Sequence, residues 1–415
     1  MSFNIMGVVL KGKKMKKVVI ILVSSLLMIT FVSCQLKPDE KKGGENTIYF
    51  SGITDIYDKN IPILNTFVSA RVYGVERVDE IEKESFAIMS RNHKLLDNYH
   101  YYYGDYGVVA NIKIINDSYG TGMLVDVDKG MIEALEEAIL MMKLSEGYFN
   151  PFMGSLIDLW NPKFSPYPIE NNDPLEDEIN KALACVPNYK QVEEIFIIDK
   201  ENSTILFKRL KGCDMTVSIN LGGFVKGYTL NEIKEHLNKK EISYLFNLGN
   251  SSIYLRGQNE EGKWRIGTTS PYNSKYAYVL VTDIDTAIST SGDDNKFFLR
   301  KNEDGSYTVR SHLLNPFTGY SESNYRVVTV ISEDNLISEV LSTTLFVVSD
   351  LEEQRKIINN FEKHYNTNIH VIWYYEENYG GEEASLILTR EAIDLIDMDT
   401  IEDEIVEIII QEEKE

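Results

Sequence analysis

Residues 217–228 read VSINLGGFVKGY, a strand-like run that passes into a helix through glycines. Gly222, Gly223 and Gly227 let backbone N–H groups come close to an anion, the helix start adds positive potential, and Lys226 adds a formal charge. The spacing matches neither G-x-G-x-x-G nor the P-loop, so neither standard nucleotide fold is implied. A glycine-rich helix start more often serves packing than ligand binding, and other segments have to decide between the two.

Three of those segments carry polar chemistry. Residues 311–320 (SHLLNPFTGY) place the His312 imidazole and the Thr318 hydroxyl on either side of Pro316, which fixes its own φ; Gly319 can take φ > 0. The stretch reads as a strand end entering a rigid turn. Residues 287–293 (AISTSGD) set hydroxyls, Thr290 and Ser291 among them, beside Gly292 and Asp293, and read as a loop before a strand at Phe297 and Phe298. Residues 337–346 (ISEVLSTTLF) are apolar at helical spacing apart from Glu339 and Thr343. Four apart, those two share one helix face and can direct a carboxylate and a hydroxyl at one hard cation. A solvated Glu339 with Thr343 bonded back to its own helix fits the same spacing.

The remaining periodicities outline the scaffold. Thr66–Tyr73 alternates as a strand, Val78–Leu96 has amphipathic helical spacing, and a second helix runs from Asp128 to Leu144 with Asp126 or Asp128 as its cap. Residues 147–160 (GYFNPFMGSLIDLW) read as a loop leading into a short apolar element, and 161–190 as an excursion rich in Pro and Asn. Ile195–Ile198 and Ser203–Lys208 form a hairpin, the 217–228 segment continues as a helix to Leu237, and Asn247 and Gly249 follow an apolar strand.

The chain has 415 residues and 43% hydrophobic content, enough to bury a large core in one domain or two intimate ones. Its net charge of −22 would repel a phosphate backbone, which excludes non-specific nucleic-acid binding. An acidic protein that handles a nucleotide needs a divalent cation between itself and the phosphates. Lysines between Lys11 and Lys17 precede an apolar run, Val18–Val32, which ends at Ser33-Cys34. This resembles a bacterial lipobox, so residues 1–34 read as a lipoprotein signal peptide with lipidated Cys34 as the first mature residue. Residues 35–47 read as a tether, 48–398 as the folded domain, and 399–415 as a solvated acidic tail. Cys185 and Cys213 lie far apart with no C-x-x-C, and read as buried small hydrophobes, with a disulfide left open.

In order along the chain, GYFNPFMGSLIDLW, NLGGFVKGY, NLGNSSI, WRIG, TSGDDNKFF, HLLNPFTGY and SEVLSTTLF resemble the FAD:protein FMN transferase (ApbE, flavin transferase lipoprotein) family. The resemblance runs from about 48 to 395. It implies an α+β fold of mixed and antiparallel sheets with flanking helices in two intimate lobes. It implies FAD as substrate, Mg²⁺ as cofactor, transfer of FMN to a Ser or Thr hydroxyl of a target protein, and release of AMP. FAD pyrophosphatase activity, or FAD binding without catalysis, are its alternatives. Carried over to this chain, Glu339, Thr343 and a main-chain carbonyl near Gly223 would hold the metal, and His312 would be the base. Thr318 and Gly319 would shape the phosphate pocket. Thr66, Lys226, Asn247, Gly249, Thr290, Ser291, Gly292 and Asp293 would contact FAD, with Tyr148 or Tyr228 stacked on a ring. The implied partner is an extracytoplasmic or membrane-bound flavinylation target, met by an enzyme lipid-anchored on the extracytoplasmic face of a bacterial membrane. The family's usual residues are an Asp at Glu339, an Asp at Asn220 and a second Gly at Asn250.

Overall fold

A computed structural model of the chain describes residues 46–411 except 168, 272–274, 323 and 377–382. The expected signal peptide, Cys34 and residues 35–45 of the tether lie outside the described residues. The centre is a nine-stranded sheet whose strands lie side by side in the order in which the chain visits them. They are β1 (Asn46–Tyr49), β2 (Val68–Tyr73), β3 (Ser243–Leu248), β4 (Ser252–Arg256) and β5 (Thr286–Gly292). Then follow β6 (Val327–Ser332), β7 (His370–Tyr375), β8 (Ala384–Thr389) and β9 (Ile405–Gln411). Neighbours are antiparallel until β8 and β9, which run parallel.

Strand alternation gives each face of this sheet its own cover. Ala287 of β5 joins Val68, Ala70 and Phe246 beneath helices α1 (Val78–Leu96) and α3 (Val225–Leu237), which contribute Ile81, Met89, Leu230 and Ile233. Ile288, one residue on, belongs to the opposite face, where Trp264, Tyr278 and Leu280 of the hairpin Trp264–Thr269/Tyr276–Thr282 cover the sheet. Each fully buried aliphatic side chain of this kind contributes about 1.5–3 kcal/mol. The second lobe is built from α2 (Lys129–Leu144) and a three-stranded sheet, Leu124–Asp126, Thr204–Phe207 and Phe196–Asp199. Asp128 caps α2 through the Gly130 N–H at 2.7 Å.

Helix α4 (Asn335–Val347) joins the lobes, with Leu336, Val340 and Leu345 in one core together with Met131 and Leu135 of α2 and Val328 and Val330 of β6. Every residue of α4 is buried except Thr343. A helix apolar on nearly all sides belongs in the interior, and its single opening marks where the surface reaches it.

Three expectations are corrected. Residues 405–411 are not a solvated tail but the edge strand β9, because Ile405, Ile408 and their apolar neighbours outweigh the flanking glutamates. Within 161–190, Glu176–Leu183 forms a helix that buries Ile179 and Ala182. Cys185 and Cys213 are joined in a disulfide rather than standing as free thiols.

Candidate active site

The turn before α3 is closed by Asn220, whose Oδ1 accepts the Gly222 N–H at 2.9 Å. Lys226 then falls in the first turn of α3, its Nζ 3.0 Å from Glu339 Oε1 on α4, and it also donates to Ser251 Oγ. The other oxygen of Glu339 accepts hydrogen bonds from Ser252 Oγ and, at 2.9 Å, from Ser289 Oγ. Glu339 is only 4% exposed, and a carboxylate this deep has to be paired and hydrogen-bonded, as it is. Hydroxyls continue the line outward. Ser342 Oγ lies 3.2 Å from Ser289 Oγ and 3.0 Å from Ser291 Oγ, and Ser291 Oγ is 3.4 Å from Thr343 Oγ1.

Gly223 and Gly227 allow this closeness in different ways. A Cβ on Gly223 would sit 3.4 Å from Thr343 Oγ1, so its backbone borders the hydroxyl that opens to the surface. Gly227 lies inside α3, where a Cβ would come within 2.6 Å of Asn335 O, 2.7 Å of Glu339 Cβ and 2.8 Å of Leu336 Cα. Its role is helix–helix contact rather than approach to an anion. Gly227→Ala is expected to push α3 off α4, separate Lys226 from Glu339 and cost about 2–3 kcal/mol; thermal unfolding of the variant measures that cost.

A second corner forms where β2 meets β3. Thr66 packs so tightly on Gly249 (φ +70) that a Cβ there would lie 2.3 Å from Thr66 Oγ1. Asn250 adopts φ 58, a region asparagine tolerates better than most residues, and Asn247 Oδ1 accepts its N–H at 2.8 Å. The side chain of Asn247 therefore holds its own turn.

His312 follows the strand Tyr307–Ser311, and its N–H donates to Lys296 O at 3.0 Å. Its Nδ1 is buried without a hydrogen-bond partner among the described residues. Burial, then the ammonium groups of Lys296 and Lys226, pull the imidazole down to about 4, so it is neutral across the physiological range. Both ammonium groups act on this ring, while that of Lys226 is also paired with Glu339.

Several expected contacts are redirected. Residues 290–292 belong to β5 rather than to a loop, so Thr290 lies on the opposite face from Ser289 and Ser291, with its Oγ1 3.1 Å from Thr329 Oγ1. Asp293 is fully buried in an ion pair, with Arg326 Nε at 2.8 and 3.0 Å, which fixes the end of β5. Burial pushes its carboxyl up while the guanidinium opposes the shift. Tyr228, two residues from Lys226, projects from another side of α3 and stacks on Phe224 at 5.2 Å. Gly319 takes φ +77 with its carbonyl accepting from Trp160 Nε1 at 3.0 Å, and a Cβ there would strike Ile179; it shapes the turn by packing. Thr318 is exposed beside Glu322, and Tyr148 meets the exposed Phe317 ring at 4.8 Å.

The residues missed from sequence are Ser251, Ser252, Ser342 and Lys296. The serines carried a signal: Ser289 and Ser291 have strand period, and Ser338 and Ser342 have helical period.

The groups expected to hold a cation are oxygens, the kind a hard divalent ion takes. Thr343 Oγ1 lies beside Ser291 and the Gly223 backbone, while the Glu339 carboxylate is already paired with Lys226 and hydrogen-bonded to Ser252 and Ser289. Among the described residues no group of three or more His, Cys, Asp or Glu is placed to hold a metal, so a cation here would depend on Glu339, hydroxyl and carbonyl oxygens, and substrate phosphates.

The ApbE family model matches residues 64–369. The FAD:protein FMN transferase of Vibrio cholerae is 28% identical over 224 residues, 53% of this chain and 61% of that protein. That of Treponema pallidum is 23% identical over 308 residues, 70% of this chain and 78% of that protein. This chain thus spans 61% and 62% of the V. cholerae and Haemophilus influenzae relatives. Among solved structures, the ApbE protein of Thermotoga maritima superposes with TM-score 0.59 at 23% identity, covering 79% of this chain and 94% of that one. The flavin transferase ApbE of V. cholerae gives 0.60 at 19% identity, covering 85% and 99%. These likenesses establish the α+β fold.

Proposed function

The chain belongs to the ApbE family, and on that premise we propose that it is an Mg²⁺-dependent FAD:protein FMN transferase that joins FMN to a Ser or Thr hydroxyl of a target protein and releases AMP. The observation that carries this reading is Glu339, buried beneath Lys226 and one helical turn from Thr343, the single residue by which α4 reaches the surface. Lys226 links the two parts of this site: it pairs with the Glu339 carboxylate beside the line of hydroxyls, and its charge reaches the neutral His312 imidazole.

Glu339, Thr343 and the Gly223 carbonyl would hold Mg²⁺. When bound, it would offset the negative charge that grows on the pyrophosphate as the P–O–P bridge opens. Lys226 and Lys296 attract and orient the phosphates. His312 takes the proton from the acceptor hydroxyl while that oxygen bonds to the FMN phosphorus, and AMP leaves with the bridging oxygen. The Thr66–Gly249 corner borders the flavin side.

The test is to incubate the purified protein with FAD, Mg²⁺ and a flavinylation-target domain and to read flavin fluorescence on the target after denaturing electrophoresis. Labelling supports transfer. Free FMN without labelling would replace this reading with FAD hydrolysis, and FAD retained unchanged would leave only binding.

His312→Ala is expected to lower transfer by about 10²–10⁴-fold. The base must be neutral, so activity falls as pH drops through its pKa. For kcat/KM, which reports the free enzyme, that acid limb belongs near pH 4. For kcat it belongs higher, because bound phosphates offset the two lysines that depress His312. Coincident limbs would contradict the assignment.

The same reading takes residues 1–34 as a lipoprotein signal and Cys34 as the anchor to the extracytoplasmic face of a bacterial membrane. The partner is then an extracytoplasmic or membrane-bound protein. The Cys185–Cys213 disulfide supports an oxidising compartment.

A further inference from the structure

Just before Thr66 the backbone does something costly. Leu64 (φ 52, ψ 26) and Asn65 (φ 57) are consecutive non-glycine residues in the left-handed region, each disfavoured by about 1–2 kcal/mol. Such strain persists only where the surroundings fix it. Neighbouring bonds frame the turn: Asn65 N–H donates to Pro62 O at 2.8 Å and Thr66 N–H to Ile63 O at 3.1 Å. The Leu64 N–H goes elsewhere, to Nδ1 of His93 in the last turn of α1, at 2.7 Å and fully buried.

His93 is 2% exposed and belongs to a chain of groups that the proposed chemistry does not use. Because Nδ1 accepts from Leu64, the ring proton sits on Nε2, which lies 2.8 Å from Tyr102 Oη. Tyr102 donates in turn to Asp97 Oδ2 at 2.6 Å. Asp97 is anchored by His100 Nδ1 at 2.8 Å and by the N–H groups of Tyr99 and His100 on its other oxygen. Although burial opposes it, His93, whose Nε2 is 3.4 Å from Asp97 Oδ2, and then these hydrogen bonds hold the Asp97 carboxyl well below the usual range. An ionised Asp97 can only accept, so Tyr102 must donate to it and His93 to Tyr102. This leaves one proton arrangement, and it presents a bare Nδ1 to the Leu64 amide.

We propose that His93 is a positioning residue for FAD binding: its Nδ1, fixed as an acceptor by Tyr102 and Asp97, holds Leu64 and Asn65 in the left-handed turn that sets Thr66 against Gly249. The inference rests on reading the Thr66–Gly249 corner as the flavin side of the site. The turn cannot relax in place, because Thr66 already fills the space a side chain at Gly249 would need, and Gly249 N–H is tied to Phe67 O at 2.8 Å. Losing the Leu64 bond would let the turn relax and carry Thr66 away from that corner.

His93→Phe removes the acceptor and keeps a ring of similar volume. Two quantities are measured on the folded protein: amide exchange at Leu64 and FAD affinity by flavin fluorescence. Leu64 exchange should rise at least tenfold while the β2 amides of Ala70 and Val72 keep their protection. FAD affinity should weaken by about tenfold, the loss expected for one buried hydrogen bond, with kcat at saturating FAD little changed. Asn65→Gly in the same background should recover most of the affinity, since glycine takes this conformation without strain. If His93→Phe does not fold, His93→Met fills the same buried space with a flexible apolar side chain that has no nitrogen acceptor, and the same Leu64 readout applies. Unchanged Leu64 exchange and unchanged FAD affinity in whichever variant folds overturns the proposal. A wild-type protein that binds no FAD would instead defeat the transferase reading, and Leu64 exchange would still report on His93.

Discussion

Glu339→Ala should abolish detectable FMN transfer, a loss of at least about 10²–10³-fold, and should also destabilise the fold. The two losses have separate origins. Activity depends on the carboxylate proposed to hold Mg²⁺ beside Thr343. Stability depends on what the carboxylate leaves behind: Lys226 Nζ, 3.0 Å from it, and the hydroxyls of Ser252 and Ser289 all lose their acceptor in a nearly closed space. Removing one partner of a largely buried pair costs about 3 kcal/mol. Glu339→Gln separates the terms, because the amide oxygen can still accept from the serines while the charge is gone. It should unfold closer to the wild type and remain inactive. Thermal unfolding alongside the fluorescence assay reads both, and a Glu339→Gln protein that transfers at the wild-type rate would remove Glu339 from the metal site.

Reducing the Cys185–Cys213 disulfide, or replacing both cysteines by serine, is the second large effect expected. The bridge spans 28 residues and ties the end of the Glu176–Leu183 helix to the loop beyond Phe207. Constraining a loop of that length in the unfolded chain contributes about 3.5 kcal/mol on the chain-entropy account. Urea unfolding with and without reductant should show a stability loss of that size, read as a lower midpoint at unchanged slope, with α4 and its site unaltered under native conditions. An unchanged midpoint would mean that the thiols are not joined in the folded protein.

Much of the local structure was legible because it was written in local patterns. Val78–Leu96 forms a helix over the span its periodicity indicates, Asp128 caps the next, and Glu339 and Thr343 share the face their spacing requires. What was not legible depends on partners distant in sequence. Gly227 is a helix-packing residue only because Asn335, Leu336 and Glu339 arrive more than a hundred positions later. Residues 290–292 resemble a turn by composition, since Ser, Thr and Gly favour turns, but pairing with β6 makes them strand and sends Thr290 and Ser291 to opposite faces. The acidic residues near the end masked an apolar run that a parallel neighbour could recruit.

A sheet whose spatial order follows the chain can grow by adding each new strand to the last, and most of its pairings are between strands close in sequence. The exception is β2 with β3, between which residues 74–242 intervene. Closing that span must precede any reward from the pairing, which makes it the slow, non-local step in assembly. Thr66 and Gly249 sit at this seam, so the corner proposed to face the flavin comes into being only when the seam closes. A chain halted before that point could be extensively folded in its second lobe and still hold no substrate.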